Sequence, residues 1–355
     1  MISLFDRYIG RLVLISIVAV LLLLLVLIAF FELISELEDV ERGYTAGMAY
    51  LHVLLTLPRY AYELFPIATL LGSLIGLGVL AGNSELMAMR AAGVSVGRIL
   101  ISVLKIGLLL LLLVAVVGEY LAPRTELRAQ RMKTEALSEQ ITLKTRYGLW
   151  SRDGDSFINI RQILPDRGLA DINIYDFDRE QRLRRSLHAE RAYYRDGGWV
   201  LESLRSSEFT PEGVQVKRVA QAPWNTSLQP SLLDVVTVKP HMLAAWDLWR
   251  YIEFLRQNGQ ASMTYEMAFW GKLATPLVTL VMVFLSVPFV FGSLRSIGIG
   301  QRIFAGMMVG IVFYLLDKAF SYLAVVYSLN ALFASLFPVL LFFAFGVWKF
   351  RGINR

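Results

Sequence analysis

A chain of 355 residues that is 56% hydrophobic, with a mean hydropathy of +0.54, is too apolar for an ordinary soluble domain. The charged 18% concentrates in the middle of the chain, so two environments are implied. The lack of cysteine excludes a disulfide framework, a thiolate nucleophile and a Cys-ligated metal. The net charge of +6 reads as basic anchoring of cytoplasmic loops and not as nucleic-acid binding.

In chain order, the first element is an apolar run from Leu12 to Phe31 with no charge, long enough to cross a hydrocarbon core as a helix. It ends in Phe30, Phe31 and Glu32 instead of a small-residue cleavage site, so it is expected to stay as a span. The connection after it sets Glu32, Glu36, Glu38, Asp39 and Glu41 against Arg42 and Arg59, which suits the outer side. Further spans are predicted at Leu64 to Ala81 and Ile99 to Val117, and then at Leu273 to Phe291, Ile303 to Tyr327 and Leu332 to Trp348. The chain therefore divides into residues 1–122 with three spans, an insert over 123–262, and residues 263–355 with three more. Arg7 and Arg11, Arg90 and Arg98, Arg295 and Arg302, and Lys349, Arg351 and Arg355 put positive charge at every second boundary. That pattern places both termini in the cytoplasm and the insert outside.

Between the second and third spans runs Asn83-Ser-Glu-Leu-Met-Ala-Met-Arg-Ala-Ala-Gly93. Ser84 is expected to cap a short helix with Glu85 at its positive end, Leu86, Met89 and Arg90 at i, i+3 and i+4, and Gly93 as its stop. Such a helix either docks into a groove on a cytoplasmic partner or lies along the bilayer as a linker.

In the insert, the alternating runs Ser156 to Ile160, Asp171 to Tyr175, Trp199 to Leu201 and Val214 to Lys217 are bounded by Asp153-Gly154, Asp196-Gly197-Gly198 and Pro211-Glu-Gly213. They predict hairpin-linked strands with one wet face, in an antiparallel sandwich or jelly roll. Its flanks are a basic helix over Thr125 to Leu137 and an amphipathic helix over Met242 to Leu255. The second is expected to put Trp246, Trp249, Ile252 and Leu255 on one face, against the β domain or the membrane interface. The fold class is thus a membrane α-helical bundle of six transmembrane helices with an inserted antiparallel β domain, jellyroll-like, on the outer side.

Enzymatic chemistry finds little support. No Gly-x-x-x-x-Gly-Lys-Ser/Thr loop occurs, and Gly271-Lys272 is followed by Leu273, so the chain is not expected to split a nucleotide by itself. His52, His188 and His241 share no ligand spacing, so no metal site is expected, and no Ser nucleophile elbow of the Gly-x-Ser-x-Gly type is expected either. In the fifth span, Asp317 and Lys318 are costly at bilayer depth. They form either a substrate- or proton-contacting site or a structural pair at a helix interface. Gly72 and Gly76, Gly78 and Gly82, and Gly306 and Gly310 have the spacing for close helix approach. At the outer ends of the first three spans, Arg42, Arg59, Arg124, Arg128, Arg131 and Lys133 form a basic rim. It would suit an amphiphile with an anionic head, or ordinary anionic lipid headgroups.

The chain resembles the lipopolysaccharide export permeases of the LptF/LptG family, nearer the LptG branch. The resemblance rests on Asp6-Arg-Tyr-Ile-Gly10, Phe65-Pro-Ile-Ala-Thr-Leu-Leu-Gly72, Ser84-Glu-Leu86 with Ala92-Gly93, and Gly118-Glu-Tyr-Leu-Ala-Pro123. It continues through Gly148-Leu-Trp150 with Asp153-Gly154, Trp224-Asn-Thr226, Phe291-Gly-Ser-Leu-Arg-Ser296 and Phe313-Tyr-Leu-Leu-Asp317. The resemblance implies one half of an ABC exporter: an LptF-like permease subunit as partner, an LptB-like ATPase dimer that uses ATP and Mg, and an LptC-like single-span protein. An LptA-like periplasmic bridge would receive the lipopolysaccharide, and the chain itself would hold no cofactor. It also implies that the Ser84 to Gly93 segment is the coupling helix, with Glu85 meeting the ATPase groove. Arg131 falls on a basic position near the substrate headgroup, with Arg128 and Lys133 nearby. Thr134 stands where the family can carry a second Arg, and Glu32 where it carries a substrate-contacting lysine. The substrate set so implied is Arg59, Arg128, Arg131, Lys133 and Glu32, with Asp317 and Lys318 as further candidates. Three other readings compete: the LptF-type partner subunit of the same family, a secondary transporter driven through Asp317, which would carry internally repeated spans, and a membrane-embedded lipid enzyme.

Overall fold

The structure is a computed structural model that describes residues 4–40, 43–137, 148–164, 168–178, 180–195, 197–211, 213–226, 228, 230, 239–292 and 298–353. Glu41, Arg42, Asp196, Glu212, Arg295, Arg355 and residues 293–296, all used in the sequence reading, lie outside the described residues, as does the side chain of His241. The chain forms two compact units. One comprises residues 1–40, 45–130 and 263–355, and the other 41–44 and 131–262.

The first unit holds six helices long and apolar enough to cross a membrane. They are α1 (Leu4–Glu38), α2 (Ala46–Gly82), α4 (Val96–Val116), α7 (Met263–Phe291), α8 (Ile299–Tyr327) and α9 (Ala331–Ile353), with the short α3 (Glu85–Ala91) between the second and third. At 1.5 Å per residue α1 and α2 are each about 50 Å long, against about 30 Å of hydrocarbon, so both overshoot it. The second span was expected from Leu64 but its helix starts at Ala46, where the Thr45 side chain accepts the Met48 amide. Pro58 and Pro66 sit inside this helix without ending it.

Packing is uneven among the spans. In their most apolar stretches α2 and α7 are 72% buried, whereas α1 and α8 are 17% buried. Leu70, Leu74, Leu77 and Leu80 of α2 meet Met282, Val283, Leu285 and Val287 of α7 in the central cluster. The pair Gly72 and Gly76 lets α1 lie on α2 backbone to backbone: a Cβ on Gly72 would stand 2.4 Å from Ile17 Cα, and one on Gly76 3.0 Å from Val13 Cα. Gly306 likewise admits the Leu74 and Leu71 side chains, while Gly82 faces open space and Gly310 makes only ordinary contacts.

The third span does not stop at Val117. One π-helical turn, Val117–Leu121, passes directly into α5 (Ala122–Leu137), so the chain stays helical from Val96 to Leu137. The change of unit falls after Gln130, later than the expected 123, because the first turns of α5 are tied to the bundle by Glu126 and Ala129.

The second unit is built on one antiparallel sheet, β1 (Leu149–Asp153), β2 (Ser156–Ile163), β3 (Leu169–Phe177), β4 (Leu183–Arg195), β5 (Gly198–Thr210) and β6 (Gly213–Trp224). Among the described residues each strand pairs with its sequence neighbour in an antiparallel meander. The hairpins turn where Gly154, Gly197 and Gly213 supply positive φ, as their turn residues predict. Ile158, Ile160, Ile172, Ile174, Ala189 and Leu204 form the buried face. The Thr226 hydroxyl donates to Asp153 Oδ2 at 2.6 Å, which joins two sequence motifs far apart in the chain.

The helix α6 (Ala245–Gln257) buries Leu248, Tyr251, Ile252 and Leu255 and leaves Trp246 and Trp249 exposed. This corrects the predicted face. Steps of three turn back by about 60° each, so 246, 249, 252 and 255 sweep half the helix circumference instead of sharing one side.

Candidate functional site

The bundle has two polar ends. At one end lie the starts of α1, α4 and α8, the ends of α2, α7 and α9, and α3. Asp6, buried at the start of α1, accepts the Ser102 hydroxyl at 2.5 Å, pairs with Lys105 Nζ at 2.6 Å and lies 3.4 Å from an Arg98 nitrogen, all on α4. Arg302, also buried, donates to the Gly78 carbonyl at 2.9 Å. On α9, Lys349 Nζ stands 4.0 Å from the centre of the Phe289 ring.

At this basic end α3 is fixed by a turn at its end and by contacts of Glu85 at its start. Ser84 lies at its start in the left-handed conformation and makes no side-chain cap, unlike the expected capping. Its end matches expectation more closely: with Gly93 at φ 90°, the Gly93 amide donates to Arg90 O and the Val94 amide to Met89 O, each at 3.0 Å, which together close a Schellman turn. Glu85 is held by the Tyr8 hydroxyl at 2.7 Å and by Asn83 Nδ2 at 3.2 Å. The Tyr8 contact ties α3 to α1.

The four residues expected to couple this helix to an ATPase do not share one exposed face. Leu86 is 2% exposed and sits in the central cluster, and Met89 packs against that cluster. Burial makes these two anchors of α3 to its own bundle. Met87, Ala88, Arg90 and Ala91 are exposed instead, with Glu85 half-buried beside them. The i, i+3, i+4 pattern therefore reports attachment of α3 to the permease, and Met87 is the outward apolar residue that the pattern missed.

The adjoining Gly93-Val-Ser-Val-Gly97 does satisfy the Gly-x-Ser-x-Gly spacing. Ser95, however, caps α4 by accepting the Arg98 amide at 3.2 Å and joins two helices, not the strand-to-helix turn of a nucleophile elbow.

The opposite end is a network of neutralised charges. Arg59 of α2 donates from Nε to Glu126 Oε2 and from Nη1 to Glu63 Oε1, each at 3.1 Å, and its guanidinium lies 3.9 Å from the centre of the Tyr60 ring. Glu126 is only 1% exposed and also accepts from Gln130. The Tyr60 hydroxyl interacts with the Glu32 side chain, so Glu32 and Arg59 belong to one cluster. Nearby, buried His52 places Nδ1 3.2 Å from Ala129 O and Nε2 3.6 Å from buried Glu36. These contacts tie α1, α2 and α5 together. Where the π-turn interrupts the third span, Lys272 Nζ donates to Gly118 O at 2.7 Å, and the Tyr62 hydroxyl donates to Lys272 O at 3.2 Å. Gly118 is required there, since a Cβ would lie 2.2 Å from the Tyr62 ring.

Of the predicted basic rim, Arg124 and Arg128 are exposed on α5 in the first unit, Arg124 beside the Tyr120 ring at 5.6 Å. In the second unit Arg131 is exposed, and Lys133 Nζ stands 5.8 Å from the centre of the Tyr44 ring. Asp317 is half-buried and Lys318 exposed on α8, with Lys318 Nζ 5.5 Å from the Tyr314 ring. Among the described residues no ion pair joins these two. His188 lies 3.0 Å from Asn173 Oδ1 and 3.7 Å from Asp171.

Six spans, a short helix presented at the basic end and an inserted β unit are the layout of a multi-pass membrane permease subunit. Residues 7–352 match the family described as lipopolysaccharide export system permease LptF/LptG, and the chain belongs to that family. It is 37% identical over 351 residues to the lipopolysaccharide export system permease protein LptG of Haemophilus influenzae, covering 98% of each chain. To the LptG protein of Escherichia coli K12 it is 34% identical over 347 residues, covering 97% of this chain and 96% of that one.

Proposed function

We propose that this chain is the LptG-type permease half of an ABC exporter that extracts lipopolysaccharide from the inner membrane and passes it to a periplasmic bridge. The observation that carries this reading is likeness to LptG proteins along nearly the whole length, β unit included. ATP hydrolysis is supplied by a separate LptB-like dimer, and the chain has no nucleotide loop of its own. The basic end faces the cytoplasm, which the positive-inside bias supports. There the exposed face of α3, Met87 and Arg90 with Glu85 at its edge, enters the ATPase groove. Tyr8 and Leu86 pass its displacement to α1 and to the bundle core.

The sparsely buried α1 and α8 supply the surface for an LptF-like half, because apolar side chains alone give no lipid-facing helix a fixed neighbour. At the outer end, Arg124 and Arg128 offer charge to the lipopolysaccharide phosphates. Arg59 acts differently: with two carboxylates already on it, it holds α2 to α5. In the β unit, β6 has a single neighbour among the described residues and exposes Val214, Val216 and Val219. An unpaired edge of this kind suits strand addition by an LptC-like or LptA-like β domain.

The test is co-purification and release in the reconstituted complex. Glu85→Lys, which reverses the charge at the start of α3, should lose the ATPase and with it ATP-dependent transfer of lipopolysaccharide to a soluble acceptor. Transfer that continues without any ATPase subunit would refute the reading.

A further inference from the structure

At the basic end, a cleft of about 600 Å3 lies between α1 and α4, away from the Arg59 and Arg128 region. Three of its lining residues are cationic, Arg7, Arg11 and Lys105, and its apolar lining includes Leu14, Ile106 and Leu109. The two helices start at the same end, since Asp6 is bonded to Ser102 at 2.5 Å, and so run side by side in one direction. Depth therefore follows residue number. Leu14 lies about 10 Å along α1 from Arg7, and Leu109 one turn beyond Lys105. The cleft is charged at the membrane surface and apolar toward the hydrocarbon.

Charge at this site is not balanced from within. Asp6 is the acidic residue lining the cleft, and its oxygens are engaged by Lys105, Ser102 and Arg98. Arg7 and Arg11 are exposed and form no ion pair among the described residues. They stand one turn apart on α1, so their guanidiniums can converge on one group. Two guanidiniums beside an ammonium fit a phosphate in a charge-assisted arrangement, and the apolar wall below fits an acyl chain.

From this we infer that the α1–α4 cleft is a binding site for an anionic phospholipid of the leaflet at the basic end. The phosphate rests on Arg7, Arg11 and Lys105, and one acyl chain lies along Leu14, Ile106 and Leu109. The inference rests on the multi-pass membrane reading and not on lipopolysaccharide as cargo. With the basic end in the cytoplasm, the lipid comes from the cytoplasmic leaflet and is distinct from the exported substrate.

The test uses the whole complex with its partner subunits in nanodiscs of phosphatidylcholine doped with phosphatidylglycerol, with retained lipid counted by native mass spectrometry. The expected result is preferential retention of phosphatidylglycerol by about tenfold, abolished by Arg7→Gln with Arg11→Gln. Both positions are exposed, so the double variant should still assemble. Leu109→Trp, which fills the cleft without changing its charge, should also lower retention. Lys349→Gln with Arg351→Gln, on α9, should leave the preference unchanged. Equal retention of the two lipids by the native complex, or an undiminished preference in the Arg7 and Arg11 variant, overturns the proposal. So does a photocrosslinker at Leu109 that captures a partner subunit and no lipid. A lipid label confined to the opposite leaflet that still reaches the site would refute the assigned orientation and leave the lipid site standing.

Discussion

Both ends of the helical bundle are rich in arginine and lysine, yet the charges do different work. At the end opposite α3, Arg59 carries Glu126 and Glu63, and His52 stands between Glu36 and a backbone carbonyl. At the basic end Asp6 is the hub of a small network, and Arg7, Arg11 and Arg90 remain exposed around it. At each end some cations fasten helices, Arg59 at one and Lys105 and Arg302 at the other, while Arg128 and Arg7 stay exposed. Counting basic residues along the sequence cannot separate these roles, because the difference lies in which carboxylates the fold brings to each one.

The largest effect that would break this contrast is expected at Arg59. Arg59→Glu leaves buried Glu126 beside two further carboxylates, and breaking a buried pair in this way costs about 3–5 kcal/mol. The variant should fail to yield a monodisperse complex in thermal and size-exclusion assays, while Arg59→Lys keeps part of the stability. A fully stable Arg59→Glu protein with a defect confined to lipopolysaccharide would show that the residue is a substrate contact after all.

A smaller structural effect with a sharper functional one is expected at Arg128. This side chain is exposed, so Arg128→Glu should change stability by less than about 0.5 kcal/mol. It should nevertheless reduce lipopolysaccharide-stimulated ATPase activity several-fold in proteoliposomes. Unchanged stimulation would remove the outer face of α5 from the headgroup site.

The features legible in the sequence were those set by local composition. Strongly apolar runs located six spans, and Asp153-Gly154, Gly197 and Gly213 located hairpins, because a turn needing positive φ selects its own residue. The start of α2 was hidden for the opposite reason. His52, Arg59 and Glu63 look unsuited to a span until Glu36, Ala129 and Glu126 arrive from other helices. The i, i+4 spacing of Arg59 and Glu63 was the one local hint that this arginine is paired. On α3 the apolar periodicity marks a face but not its direction, since a stripe of Leu86 and Met89 attaches a helix equally well to a partner or to its own bundle. On α6 the error was geometric, because spacing by threes alone drifts around a helix.

The central claim is that α3 is anchored inward through Leu86 and couples outward through its other face. Site-specific photocrosslinking in the assembled complex tests it most directly, with the crosslinker placed in turn at Met87, Arg90 and Leu86. Capture of the ATPase subunit from Met87 and Arg90, with only intramolecular products from Leu86, is the expected result. Capture from Leu86 with none from Met87 or Arg90 would contradict the account.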